Sequence, residues 1–252
     1  MICQLPSDPL NKRAKYVLTN KNPTSRSWFW QIRDICLLYG FPHPLQLLEN
    51  PLSRETFKKL ARSLVVNYWE TKLRDEASSL DSLSYFKPEF HSLTHPHPIL
   101  WTAGPNPYEV AKAVVQCKML SGRYRTELLA RHWSSNKNGI CLSPSCTVAP
   151  VQESLEHILL WCPSYEPMRQ RMRILMINSK YPLVSQLMTS VLNGPSPSLM
   201  QFLLDASIHP QVIFWTQSYG TGPLHVILHL TRTWCFSIHR ERAKLLGRWH
   251  VH

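Results

Sequence analysis

The sequence predicts a mainly α protein, made of helical bundle segments and one small stapled loop-helix element. Three observations carry that prediction. Apolar residues recur at spacings of three to five, caps and glycine stops punctuate them, and clear period-two alternation is scarce. Ser25 or Ser27 caps a first helix through Trp28, Ile32, Ile35 and Leu38, which ends at Gly40. Pro42 and Pro44 then break the chain. Ser53 opens a long amphipathic helix with Phe57, Leu60, Leu64, Tyr68 and Leu73 on one face and Arg54, Lys58, Arg62, Lys72 and Arg74 on the other. From Tyr85 to Pro107, five prolines and three histidines (His91, His95 and His97) sit among few periodic apolar residues, which predicts a linker.

Asn106 caps the next helix, Pro107 takes its first position, and Glu109 reaches back in a capping box. That helix runs through Val110, Val114 and Cys117 and stops near Gly122. A short helix around Leu128 and Leu129 and a polar turn at 134–139 follow. Beyond a cysteine-rich segment, helices are expected at about 164–178, 182–192 and 197–205, with a last one from Pro223 to about Leu246. The expected divisions are an N-terminal helical region (1–84), a Pro/His-rich linker (85–106), a helical module that carries the cysteine-rich segment (107–180) and a C-terminal basic helical region (181–252).

The composition narrows the function. With 252 residues and 44% hydrophobic side chains, the chain can bury a core, so whole-chain disorder is not expected. Its apolar runs are only a few residues long, Ile158 to Cys162 being typical, far short of the ~20 that cross a bilayer. The first 22 residues hold no signal-peptide pattern, so an intracellular protein, nuclear or cytoplasmic, is expected, with no membrane partner. Its seven cysteines then read as buried thiols or metal ligands rather than disulfides. The formal charge of +12 is uneven: residues 1–111 carry +3 and residues 112–252 carry +9. Such a surplus points to a polyanionic partner, most simply nucleic acid.

Cys141, Cys146, His157 and Cys162 form the most informative constellation. Their spacing is C-x4-C, ten intervening residues, then H-x4-C. Zinc takes four such ligands tetrahedrally, as two short-range pairs brought together by a loop. The first pair sits on a turn bent by Pro144. The second sits on a helix expected to start at Ser154, whose stripe of Leu155, Ile158 and Leu159 faces away from His157. On an uninterrupted helix Cys162 would face elsewhere, so Pro163 is expected to end the helix and release the thiolate toward the metal. Four protein ligands leave no open position, so the zinc would be structural.

Basic and aromatic residues flank this segment. Arg123, Tyr124, Arg125, Arg131 and Trp133 precede it, and Arg169, Arg171 and Arg173 follow. The arginines suit phosphates, and Tyr124 or Trp133 suits unpaired bases. Trp133 suits equally a cover over the zinc loop, and Arg169 and Arg173 a solvated helix face. The last helix adds Arg232, Arg240, Arg242, Lys244 and Arg248 against one acid, Glu241, beside a core face of Leu224, Ile227, Leu230, Trp234, Ile238 and Leu245.

The run from Met119 through Gly122-Arg123-Tyr124-Arg125 to Trp133, followed by Cys141, Cys146, Leu155-Glu156-His157 and Cys162-Pro163, resembles the C-terminal, post-polymerase region of LINE-type (non-LTR) retrotransposon polyproteins. The flanks, Ser27-Trp28-Phe29-Trp30-Gln31-Ile32-Arg33, Thr231-Arg232-Thr233-Trp234-Cys235 and His239-Arg240-Glu241-Arg242, resemble it too. The resemblance implies a zinc-knuckle-like element with Cys141, Cys146, His157 and Cys162 as ligands, helping to hold RNA or single-stranded DNA beside the element's polymerase domain. Polymerase chemistry itself needs clustered carboxylates for two metal ions. No Asp-Asp dipeptide occurs here, and the acidic and histidine cluster of an endonuclease has no counterpart. The expectation is a non-catalytic nucleic-acid-binding module, beginning downstream of the polymerase. A protein-interaction scaffold or an inert truncated relic is the alternative. A nucleophilic pair of Cys117 or Cys235 with a histidine is not fixed by any spacing.

Overall fold

The computed structural model describes residues 12–13, 15–16, 28–92, 94–134, 138–146 and 149–247, and the fold is mainly helical. The chain divides into two compact units. Unit 1 comprises the residues up to Asp75 together with Ser92–Thr94, and unit 2 comprises Glu76–His91 and the chain from His95 onward.

Unit 1 contains α1 (Trp28–Tyr39), α2 (Pro44–Glu49) and most of α3 (Arg54–Ser79). Gly40 closes α1 with a φ of +73°, a left-handed conformation that costs glycine little. The two serines expected to cap α1, Ser25 and Ser27, lie outside the described residues. His43 caps α2: its Nδ1 accepts from the Leu45 N–H at 3.3 Å, while Gln46 returns a bond to the His43 N–H. Ser53 caps α3 as expected, its hydroxyl accepting from the Thr56 N–H at 3.1 Å. The expected apolar stripe of α3 is only half-buried at Leu60, Leu64, Tyr68 and Leu73, and Phe57 is exposed. Tyr68 meets Tyr39 edge-on, with ring centroids 4.8 Å apart.

Unit 2 is built around its last helix. In chain order it adds α4 (Pro98–Trp101), α5 (Pro107–Leu120), α6 (Glu127–Ala130), α7 (Glu166–Ile177), α8 (Pro182–Leu192), α9 (Ser196–Leu204), α10 (Pro210–Tyr219) and α11 (Gly222–Leu245). At 24 residues α11 spans about 36 Å. Its buried stripe of Leu224, Ile227, Leu228, Trp234, Cys235 and Ile238 packs against α5, α7, α9 and α10. Gln116 of α5 is fully buried and donates to the carbonyls of Leu203 and Leu204, which end α9. No strand occurs among the described residues; Ile140 and Gln152 form one isolated antiparallel bridge. No described helix is long and apolar enough to cross a membrane.

Three expectations are corrected. The Pro/His-rich stretch at 85–106 is largely folded into unit 2: Ile99 and Ala103 are buried, and Tyr85 and Phe86 pack against the core. Arg232, expected on a basic surface, is buried and donates to Ile99 O and the Thr102 side chain, so it holds α4 in place. On α5, Ala113, Gln116, Met119 and Leu120 are among the buried residues, while Val110 and Val114 are exposed. Asn106 and Pro107 do start this helix, with Asn106 Oδ1 accepting from the Tyr108 N–H at 2.9 Å. Glu109, however, pairs with Lys112 and His229 instead of closing a capping box.

Candidate metal centre

Two short backbone devices bring Cys141, Cys146, His157 and Cys162 together. The first is a loop pinned at its base, where Cys141 N–H donates to Val151 O and Glu153 N–H to Gly139 O, both at 2.9 Å. Gly139 has a φ of +75° and lies against α6, so a Cβ there would be strained and would touch the Leu128 backbone. A 3-10 turn at Pro144–Cys146 then curls the second cysteine back, as the proline predicts. Ser143 and Ser164 join their hydroxyls, and Ser164 also donates to Ser145 at 2.9 Å, which ties the two ligand-bearing segments to each other.

The second device is a π-helical turn at His157–Trp161. Ser154 starts this segment as expected, its hydroxyl accepting from the His157 N–H at 3.0 Å. On an α-helix, five residues would carry Cys162 about 140° round from His157. Instead Cys162 N–H bonds to His157 O at 2.7 Å, an i→i+5 closure that takes more than four residues through one turn. The wide turn brings both ligands to one side, while Ile158, Leu159 and Leu160 enter the core. Pro163 exits the helix, as expected, into a 3-10 turn.

All four residues are buried, and their ligand atoms lie within 4.8 Å of one another. Cys146 Sγ is 3.8 Å from Cys162 Sγ and 3.5 Å from His157 Nε2, and Cys141 Sγ is 3.9 Å from Cys162 Sγ. These separations are far too long for disulfides. They match the edges of a tetrahedron: bonds of about 2.3 Å to sulfur and 2.0–2.1 Å to nitrogen give edges of about 3.8 Å and 3.6 Å. Burial raises the thiol pKa of Cys141, to about 12, and that of Cys146, and the charge of a neighbouring Cys162 thiolate raises both further. Without a cation these sulfurs therefore keep their protons. Burial lowers the pKa of His157, which keeps its imidazole neutral and able to ligate. The cluster can hold a metal ion.

Buried charges frame the cluster. Arg169, expected at a nucleic-acid surface, is buried instead; it donates to Cys162 O at 2.8 Å and pairs with Glu166. A divalent ion with three thiolates and a neutral imidazole would carry a net −1, and the Arg169 guanidinium, bonded to the carbonyl of a ligand residue, lies beside that charge. Arg242 is also withdrawn from the expected surface: it pairs with buried Glu153 at 2.5 Å. Tyr124, expected to stack on bases, is buried, with its hydroxyl 3.1 Å from His239 Nδ1. Sequence reasoning missed Glu153 altogether. Its Oε1 also accepts from the Glu127 N–H at 2.9 Å, so it docks α6 on the metal loop.

The remaining expected interface residues divide by exposure. Arg123, Arg125, Arg131, Trp133 and Arg171 are exposed, and Arg173 and Arg240 are half-buried. Arg248 lies outside the described residues. Arg125, Arg131 and Trp133 bracket α6, the helix held by Glu153. Trp161, which the sequence did not single out, is 58% exposed and lines a cavity of about 650 Å³ with Ser145, Gln152, Glu156 and His157.

The class these observations define is a helical protein with a buried three-cysteine, one-histidine cluster able to hold a metal ion. No family model matches the chain, and no characterised protein or solved structure is significantly similar to it.

Proposed function

We propose that this chain is a non-catalytic nucleic-acid-holding module of the LINE-type post-polymerase kind, stapled by structural Zn²⁺ at Cys141, Cys146, His157 and Cys162. The observation that carries the proposal is the coupling of the ligand tetrahedron to α6: Glu153 ties this helix to the metal loop, and exposed Arg125, Arg131 and Trp133 flank it. Zinc is preferred because three thiolates and one imidazole at tetrahedral spacing suit it and leave no position for catalysis. Arg123, Arg125, Arg131 and Arg171 contact phosphates, and the indoles of Trp133 and Trp161 offer faces to unpaired bases. The partners are RNA or single-stranded DNA, held beside a polymerase domain inside the cell.

A protein-interaction scaffold is the second reading. It is favoured by exposed Ile174, Leu175, Ile177, Tyr181 and Leu183 on α7, α8 and the turn between them, and by the burial of Arg169 away from any common arginine face. Fluorescence anisotropy on single-stranded RNA and DNA across a salt series separates the two. Nucleic-acid binding with a log–log salt dependence that flattens by about 1.4 in Arg123→Ala/Arg125→Ala supports the first reading. No binding by the zinc-loaded wild type at low salt sinks it and leaves the scaffold.

A further inference from the structure

Asp205, just past α9, is fully buried in unit 2, and two imidazoles from the Pro/His-rich stretch converge on it. His91 Nε2 lies 2.8 Å from Asp205 Oδ2. His97 Nε2 lies 3.4 Å from the same oxygen and 3.1 Å from His91 Nε2. The other carboxylate oxygen is held by Ser207, whose hydroxyl and N–H donate to Oδ1 at 2.6 and 3.2 Å, so Oδ2 is aimed at the two rings. Burial acts to raise the Asp205 pKa, but its bonds to His91 and His97 and to Ser207 outweigh that and hold it far below the ordinary carboxylate value. The carboxylate is therefore charged.

Hydrogen bonds alone use this geometry poorly. Two ring nitrogens 3.1 Å apart crowd each other if both carry protons toward one oxygen. One cation at the centre satisfies all three atoms. Ligand bonds of about 2.1 Å give edges of about 3.0 Å in an octahedral site and about 3.4 Å in a tetrahedral one, and the three separations span that range. An ion about 2.1 Å from each atom sits about 1 Å off their plane, the facial arrangement of two histidines and a carboxylate.

We propose that His91, His97 and Asp205 form a second divalent-metal site, separate from the cysteine centre. Two imidazole donors select a borderline transition ion such as Zn²⁺, Co²⁺ or Fe²⁺ over Ca²⁺ or Mg²⁺. Three protein ligands leave positions for water. The rings of His91 and His97 are 11% and 15% exposed, so this ion exchanges with solvent more readily than one held by four buried ligands.

Filling the site has a local consequence. His97 Nδ1 accepts from the Ile99 N–H at 3.2 Å and caps α4. A ring that ligates through Nε2 carries its proton on Nδ1, so metal binding breaks this cap. The Ile99 amide therefore reports occupancy. A metal-free triad keeps the cap intact.

The test is a Co²⁺ titration of the full chain, followed by visible absorption and by NMR of the Ile99 amide and the histidine rings. The wild type is expected to bind two ions. One gives intense thiolate charge-transfer bands; the other gives only weak d–d bands and shifts Ile99, His91 and His97. His91→Gln, a change at the edge of the site, reduces the count to one and leaves the thiolate bands. Cys141→Ser abolishes those bands and leaves the His91/His97 shifts; if that variant does not fold, the wild type and His91→Gln decide. A wild type that binds one ion, retained in His91→Gln, overturns the proposal. Ring and Ile99 resonances unmoved by excess Co²⁺ overturn it as well.

Discussion

Breaking the Glu153–Arg242 pair is expected to destabilise unit 2 well beyond the loss of a surface ion pair. The two side chains are 2% and 7% exposed, so neither charge can turn to water when its partner is removed. Burial pulls the Arg242 guanidinium down, but Glu153 outweighs it and holds the pKa above its ordinary value. Removing one member of such a pair costs about 3–5 kcal/mol. Glu153→Ala also leaves the Glu127 N–H without its acceptor, adding about 1–3 kcal/mol. Glu153→Gln keeps an acceptor and isolates the charge. Urea unfolding of the metal-loaded protein should show Glu153→Gln less stable by about 3–5 kcal/mol, which at this chain length lowers Tm by about 6–20 °C. Combining it with Arg242→Met should recover much of that loss, because both charges are then gone. A single-variant cost below about 1 kcal/mol, the value of a solvated pair, refutes the reasoning. Strict additivity in the double variant refutes it too.

Three further outcomes follow from the same geometry. Ser154→Ala removes the cap on the His157 N–H and is expected to cost about 1 kcal/mol of stability, measured by denaturant unfolding, without changing metal content. Cys146→Ser should release the metal and raise hydrogen exchange across residues 120–175; unchanged metal content and melting would contradict the ligand assignment. His209 caps α10 through Nδ1, which accepts from the Gln211 N–H, and burial lowers its pKa. Its stabilisation is thus complete above the unfolded histidine value of about 6.5 and is lost as pH falls through the lower folded value. His209→Asn, which keeps a cap acceptor but does not titrate, should flatten the fall in stability as pH drops below about 6.5. An unchanged slope would remove His209 from that account.

Much of the helical pattern was legible because caps are local. Ser53, Asn106-Pro107 and Ser154 start helices where their side chains predict, and Gly40 and Gly122 end them. The ligand set was equally readable, since four residues of the right chemistry fall within 22 positions. The alignment of His157 with Cys162 was half legible. Pro163 signals the exit, but the π turn that swings Cys162 round depends on packing Ile158, Leu159 and Leu160 into the core.

The histidines of 85–106 misled because His-Pro reads as a break. Here His97-Pro98, like His43-Pro44 and His209-Pro210, starts a helix, with the ring Nδ1 accepting the N–H two residues on. α10, starting at that third His-Pro, had no expectation attached to it. Buried charge was hidden for another reason. Arg169, Arg232 and Arg242 look like surface arginines in sequence, and their partners lie up to 133 positions away in the chain. Only the packing around α11 brings Ile99 O and Glu153 to those guanidinium groups.

The central claim, that the cysteine centre holds structural zinc, is tested most directly by X-ray absorption at the zinc K-edge. A zinc-loaded His91→Gln variant leaves only that centre to report. The account predicts three sulfur neighbours at about 2.3 Å and one nitrogen at about 2.0–2.1 Å. A first shell of oxygen and nitrogen alone, or a chain that retains no zinc after dialysis, would contradict it.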